Sequence, residues 1–128
     1  MKLSEVQREF TRDIAKLIVY AYQQGIELTF GDAYRPLTMQ YLYYYGYKIL
    51  DKSGVLELVK AKRRSKTLNS KHQKRCAVDF NFFINNKLTY KKEDVELLGT
   101  YWESLNEKNK WGGNFTSFTD TPHFERRT

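Results

Sequence analysis

The spacing of apolar residues switches between two periods along the chain, and that switching constrains the fold more than any other feature. Val6, Phe10, Ile14, Leu17, Ile18 and Ala21 recur at helical spacing behind a Ser4 and Gln7 pair that reads as a capping box, and Gly25 supplies the stop. Ile26, Leu28 and Phe30 then alternate with polar neighbours, which predicts a short strand ending at Gly31-Asp32. Arg35-Pro36 forces an extended corner, and a second helix is expected from near Thr38. Cys76, Val78 and Phe80 alternate again, and Asn85-Asn86 before Leu88 predicts a hairpin. Val95, Leu98, Trp102 and Leu105 return to helical spacing, and Gly112-Gly113 opens an irregular stretch into His123-Phe124-Glu125. The mixture predicts an α+β fold in a single domain over residues 1–128.

Ten Tyr, eight Phe and two Trp against two Pro give enough apolar surface to offset the entropy lost on folding. The lone cysteine, Cys76, excludes an internal disulfide framework and any Cys-rich zinc module; alternation turns it toward Val78 and Phe80, into an apolar role. Lys16, Asp79 and Asn81 interrupt the longest apolar runs, so none approaches the roughly 20 residues of a membrane span. Glu5, Arg8 and Glu9 break any apolar leader, so no secretory signal is expected. Tyr41, Tyr43, Tyr44, Tyr45 and Tyr47 exceed what a core stripe needs, so some should line a groove or the surface.

The formal charge of +7 is concentrated in one place. Residues 60–75 carry Lys60, Lys62, Arg63, Arg64, Lys66, Lys71, Lys74 and Arg75 with no acid, and the rest of the chain is balanced to within one charge. This stretch reads as a mobile loop that attracts polyanions: nucleic acid, acidic lipid or the anionic polymers of a bacterial envelope. A merely solvated loop would have the same composition.

The chain has only two histidines, each with an aspartate close by in sequence. Alternation puts Asp79 on the strand face opposite Cys76, Val78 and Phe80, where its carboxylate needs a partner. A turn could return His72, seven residues upstream, to the same site, so that the two share a cation. His123 is the only remaining imidazole. Pro122 favours an extended chain there, which points His123 and Glu125 to one face and lets Glu125 orient the ring. Two imidazoles and a carboxylate suit zinc with an open fourth position, and with Glu125 orienting the ring, Asp120, three residues before His123, is the carboxylate favoured as base. Two surface histidines near unrelated acids would show the same spacing.

Three motifs add to this reading. Ser70-Lys71-His72-Gln73-Lys74-Arg75-Cys76-Ala77-Val78-Asp79 resembles the Ser-x-His-x-x-Gly-x-Ala-x-Asp signature of the M15 zinc peptidases, which include D-alanyl-D-alanine carboxypeptidases, VanX/VanY-type enzymes and phage L-alanyl-D-glutamate endopeptidases. Trp111-Gly112-Gly113-Asn114-Phe115 through Asp120-Thr121-Pro122-His123-Phe124-Glu125 is similar to the closing motif of the phage-lysin branch, and Tyr34-Arg35-Pro36 with Gln40 resembles the family's Tyr-Arg-Ser and Gln element. The resemblance implies helices packed on a short antiparallel sheet carrying a zinc site, with His72, Asp79 and His123 as ligands. It also implies Asp120 as catalytic base, Arg35 steadying substrate and transition-state charge, and Ser70, Gln40 and Glu125 in supporting or substrate positions. Arg75 replaces the family glycine, at a cost of roughly 1–2 kcal/mol if that position is left-handed, so the ligand loop is expected to differ in shape. Pro36 replaces the usual Ser and removes a backbone donor beside Arg35.

The implied activity is hydrolysis of peptidoglycan stem peptides, with L-alanyl-D-glutamate endopeptidase chemistry of a phage endolysin first and D-alanyl-D-alanine carboxypeptidase or dipeptidase chemistry second. Such an enzyme would wait in the host cytoplasm, act on the wall after release, and work as a monomer with no obligate nucleic acid. Residues 60–75 would steer it to anionic envelope polymers without touching the scissile bond. From another class, a basic nucleic-acid-binding domain would use the same residues with nearby tyrosines.

Overall fold

Phe10, Leu17 and Ala21 are buried along one face of α1 (Leu3–Gln23), the amphipathic helix that the spacing predicts. Its start differs from expectation. Lys2 is the N-cap and its backbone N–H donates to Glu5 Oε2 at 3.3 Å, so Ser4 lies inside the first turn and caps nothing. Gly25 follows the helix at φ +78°, a conformation that costs glycine little, and Ile26 N–H closes back on the Ala21 carbonyl at 2.9 Å.

The computed structural model describes residues 1–128. After α1 come β1 (Glu27–Phe30), α2 (Leu37–Tyr45), β2 (Tyr47–Lys52), β3 (Val55–Lys60), β4 (Ala77–Ile84), β5 (Lys87–Thr89), α3 (Lys92–Leu105), β6 (Asn109–Trp111), a short 3-10 turn (Gly112–Asn114) and β7 (His123–Arg126). One antiparallel sheet runs β1-β4-β7-β6, with β5 also paired to β4, and β2–β3 forms a separate hairpin. The Asn85-Asn86 turn is as expected, with both residues at positive φ as a two-residue hairpin loop requires. The β2–β3 hairpin and β6 are additions to the elements expected from sequence.

Val78, Phe80 and Phe82 of β4 point into a core shared with Leu17 of α1, Leu98 and Trp102 of α3, and Trp111 and Phe124 from the last strands. Two helices, α1 and α3, therefore cover one face of the sheet, while α2 packs beside the β2–β3 hairpin. Gly99 makes the α3 contact possible: a Cβ there would lie 2.0 Å from the Trp111 ring. At one end Arg126, 2% exposed, donates to Asn109 Oδ1 and Asp13 Oδ2, tying β7 to α1 and β6. Cys76 is fully buried, and burial pushes its thiol up, with Lys71, Arg126 and Lys74 opposing in part. The opposite face of β4 carries Asp79.

Candidate metal centre and cleft

Strand register brings the first two candidate ligands together. In the β4–β7 ladder Asp79 lies directly opposite His123 and Ala77 opposite Glu125, so period two places Asp79, His123 and Glu125 on one face. The register is held from outside the ladder as well: Asp79 N–H donates to the Asp32 carbonyl at 2.8 Å, and Gly31 N–H to the Asp79 carbonyl at 2.7 Å. His123 N–H closes a turn on the Asp120 carbonyl at 3.1 Å.

His72 arrives on a single hydrogen-bonded turn whose ends explain the motif. Ser70 Oγ accepts from His72 N–H at 3.2 Å, the bond an N-cap serine makes. At the other end Cys76 N–H reaches the Lys71 carbonyl at 3.0 Å and Arg75 N–H the His72 carbonyl at 3.2 Å, the two bonds of a Schellman closure with Arg75 in its left-handed position. Arg75 has φ +57°, so it holds the backbone that a glycine would adopt. The left-handed position that the expectation supposed is thus present, and the turn closes around Arg75 with both bonds made. The arginine's own guanidinium, 4.2 Å from the Tyr34 ring centroid, offsets part of the strain.

The polar atoms converge. His72 Nε2 lies 3.3 Å and His123 Nδ1 3.1 Å from Asp79 Oδ1, while the outer nitrogens are held by oxygen acceptors: His72 Nδ1 by the Ala33 carbonyl at 3.1 Å, His123 Nε2 by Glu125 Oε1 at 2.7 Å. Holding the outer nitrogen leaves the inner lone pair of each neutral ring for a metal. Tetrahedral ligands about 2.0–2.1 Å from zinc are about 3.3 Å apart, close to both distances, and all three donor atoms lie within 4.8 Å of one another. Both imidazoles are almost fully buried, at 2% and 7% exposure. Burial raises the Asp79 carboxyl, yet hydrogen bonds from His123 and His72 hold it well below the usual carboxylate range. Burial likewise pulls His123 down, but Asp79 and Glu125 outweigh it and push the ring up to about 9. A divalent cation in place of the inner proton meets the same donors, so the residues fit zinc.

Asp120 and Arg35 line the same cleft, which has a volume of about 1300 Å³. Gly112 makes the approach of Asp120 possible: its carbonyl accepts from Asp120 N–H at 2.9 Å, and a Cβ at Gly112 would meet the Asp120 carbonyl at 2.1 Å. Trp111 Nε1 donates to the Thr121 carbonyl at 2.8 Å and fixes the next residue. Burial raises the Asp120 carboxyl; His123 lowers it and Asp79 adds to the rise. Arg35 donates through Nε and Nη2 to Asp32 Oδ2, at 3.1 and 2.9 Å, and through Nη1 to Gln40 Oε1 at 2.9 Å. Its Nη2 also lies 3.8 Å from Asp79 Oδ2.

A family model of M15 peptidases, described as D-alanyl-D-alanine carboxypeptidase, matches residues 63–126, half of the chain and the part that holds His72, Asp79, Asp120, His123 and Glu125. The chain belongs to the M15 peptidase family. Arg35 and Gln40 fall outside the matched residues. Among solved structures, the L-Ala D-Glu endopeptidase ChiX of Serratia marcescens superposes with a TM-score of 0.64 at 18% identity, over 97% of this chain and 85% of that one, which shows the shared fold. No curated protein matches the sequence.

In this M15 peptidase the basic segment is not a free loop. Arg63 and Arg64 lie over Tyr44 and Tyr43 at 4.4 and 4.5 Å, Lys66 over Phe118 at 5.2 Å, and Gln40 Nε2, fully buried, donates to Ser65 Oγ at 2.8 Å and to the Thr67 carbonyl. Arg63, Arg64, Lys66 and Lys71 line the cleft itself, which goes beyond the steering expected of them. The surplus tyrosines of α2 thus have a place: Tyr43 lies under both Arg35 and Arg64, whereas Tyr41 and Tyr45 are exposed. Asp32 and the Ala33 carbonyl escaped sequence reasoning. The one available signal was Asp32 three residues before Arg35 at the end of a strand.

Proposed function

We propose that the protein is a zinc peptidase that cleaves the stem peptides of bacterial peptidoglycan at the L-alanyl-D-glutamate bond, as a phage endolysin does. The observation that carries this reading is the convergence of His72 Nε2, Asp79 Oδ1 and His123 Nδ1, each imidazole braced from behind, in a cleft that also holds Asp120 and Arg35. Zinc held by His72, Asp79 and His123 supplies Lewis acidity that polarises a carbonyl and makes water acidic. Asp120 takes the proton of the attacking water and delivers it to the departing amine, and its raised carboxyl suits that exchange better than an ordinary aspartate. Arg35, fixed by Asp32 and Gln40, presents positive charge to the oxygen that becomes negative. Glu125 keeps the His123 ring turned so that Nδ1 faces inward.

The finer reading is supported by the closing motif from Trp111 to Glu125 and by the fold shared with an L-Ala D-Glu endopeptidase. It includes action on the wall after release from the host cytoplasm. The description of the matching family model favours a second reading, a D-alanyl-D-alanine carboxypeptidase. Digestion of purified peptidoglycan followed by mass analysis of the new termini separates them: new N-terminal D-glutamate supports the first, released D-alanine the second. Absence of any new terminus, combined with salt-sensitive DNA binding, would replace both with a nucleic-acid-binding domain.

A further inference from the structure

The cations of the cleft are not equivalent. Arg35 is committed to Asp32 and Gln40, and Arg63 gives its Nε to the Ser65 carbonyl at 3.0 Å. Arg64 has no such commitment: its backbone N–H donates to the Tyr43 carbonyl at 2.9 Å, its guanidinium lies over the Tyr43 ring, and none of its side-chain N–H groups meets a protein acceptor. With its guanidinium carbon 4.5 Å from the ring centroid and no protein acceptor on its N–H groups, Arg64 has donors left to offer a carboxylate or phosphate two parallel hydrogen bonds. Of the four acids of the cleft, Asp32 is engaged by Arg35, Asp79 by the two imidazoles and Glu125 by His123, while Asp120 lies within ion-pair distance of no cation, so no ion pair neutralises Arg63, Arg64 or Lys66. Gln40 pins this strip of positive charge to the helix that follows Arg35, so the strip holds its place beside the candidate metal centre.

From this we infer that Arg64, assisted by Arg63 and Lys66, binds a carboxylate of the substrate next to the scissile bond, so that the enzyme selects peptides with a free acid there. The inference rests on the peptidase reading of the same cleft. The probes are two soluble peptides, L-alanyl-γ-D-glutamyl-L-lysine with the glutamyl α-carboxyl free and the same peptide with that group as a carboxamide. Wild-type protein should cleave the acid form with a kcat/KM about 10- to 100-fold higher, the worth of a hydrogen-bonded charge. Arg64→Gln should level the two by slowing the acid form alone, and Arg64→Lys should restore part of the preference. Equal wild-type rates, or a preference that survives in Arg64→Gln, overturns the assignment. If neither peptide is cleaved, the L-alanyl-D-glutamate endopeptidase reading fails, and calorimetric binding of the same pair still decides. A wild-type preference for the acid that Arg64→Gln abolishes upholds the site, and equal binding of both peptides removes it.

Discussion

Arg75 allows a quantitative test of the ligand turn. Its φ of +57° costs a residue with a side chain roughly 1–2 kcal/mol relative to glycine. The contact of its guanidinium with Tyr34, at 4.2 Å from the ring centroid and on an exposed residue, returns about 0.5–1 kcal/mol. Glycine in its place would relieve the strain, lose that contact and give the unfolded chain about 0.4–1 kcal/mol of extra entropy. The three terms nearly cancel, so Arg75→Gly should match wild-type stability within about 1 kcal/mol. Arg75→Ala keeps the strain and loses the contact, which predicts a loss of about 0.5–1 kcal/mol. Urea denaturation of the metal-free proteins measures both, and competitive chelator titration should show the same zinc affinity for Arg75→Gly as for wild type. An alanine variant clearly more stable than the glycine variant, or a zinc affinity that rises more than about tenfold in Arg75→Gly, would refute the left-handed closure on which the reasoning stands.

Asp120→Asn should keep its zinc while turnover of peptidoglycan falls by about 10²- to 10⁴-fold; an active Asp120→Asn beside a dead Glu125→Gln would transfer the base to Glu125. Because the metal-free His123 is pushed up to about 9, zinc uptake at pH 7 should release about one proton, read by calorimetry in buffers of different ionisation enthalpy; release of none would contradict the geometry. With a folded value above the unfolded value of about 6.5, the charged ring stabilises the metal-free protein fully below that pH, and this stabilisation disappears as pH rises through about 9. Gly112→Ala would drive a Cβ toward the Asp120 carbonyl, so melting temperature and turnover should both drop, by about 1–3 kcal/mol in stability; unchanged values would show that the close approach does not matter.

Local signals carried most of the core and the ligands. Alternation alone turned Asp79 away from Val78 and Phe80, and the helical spacings of α1 and α3 located the faces that cover the sheet. The juxtaposition of Asp79 with His123 depends on the β4–β7 register, a pairing across 44 residues that no local pattern specifies, although the motif resemblance put both in one site. The β2–β3 hairpin was missed because Ile49, Val55, Leu56 and Leu58 are all exposed and leave no buried face to read; its signal was the Ser53-Gly54 turn, both at positive φ. Gln40 was singled out only through its motif, and its reach to Ser65 and Thr67 is a tertiary contact of about 25 residues' separation. Ser4 misled because Glu5 satisfies the Lys2 N–H and the helix starts two residues earlier than a serine cap would set it.

The central claim is that His72, Asp79 and His123 hold one zinc ion. Elemental analysis of the purified protein after dialysis against trace zinc tests it most directly, with His123→Ala, checked by circular dichroism for its fold, as the comparison. About one zinc per wild-type chain and almost none in folded His123→Ala is the expected result. A wild-type chain that retains no zinc, or a His123→Ala chain that retains as much as wild type, would contradict the account.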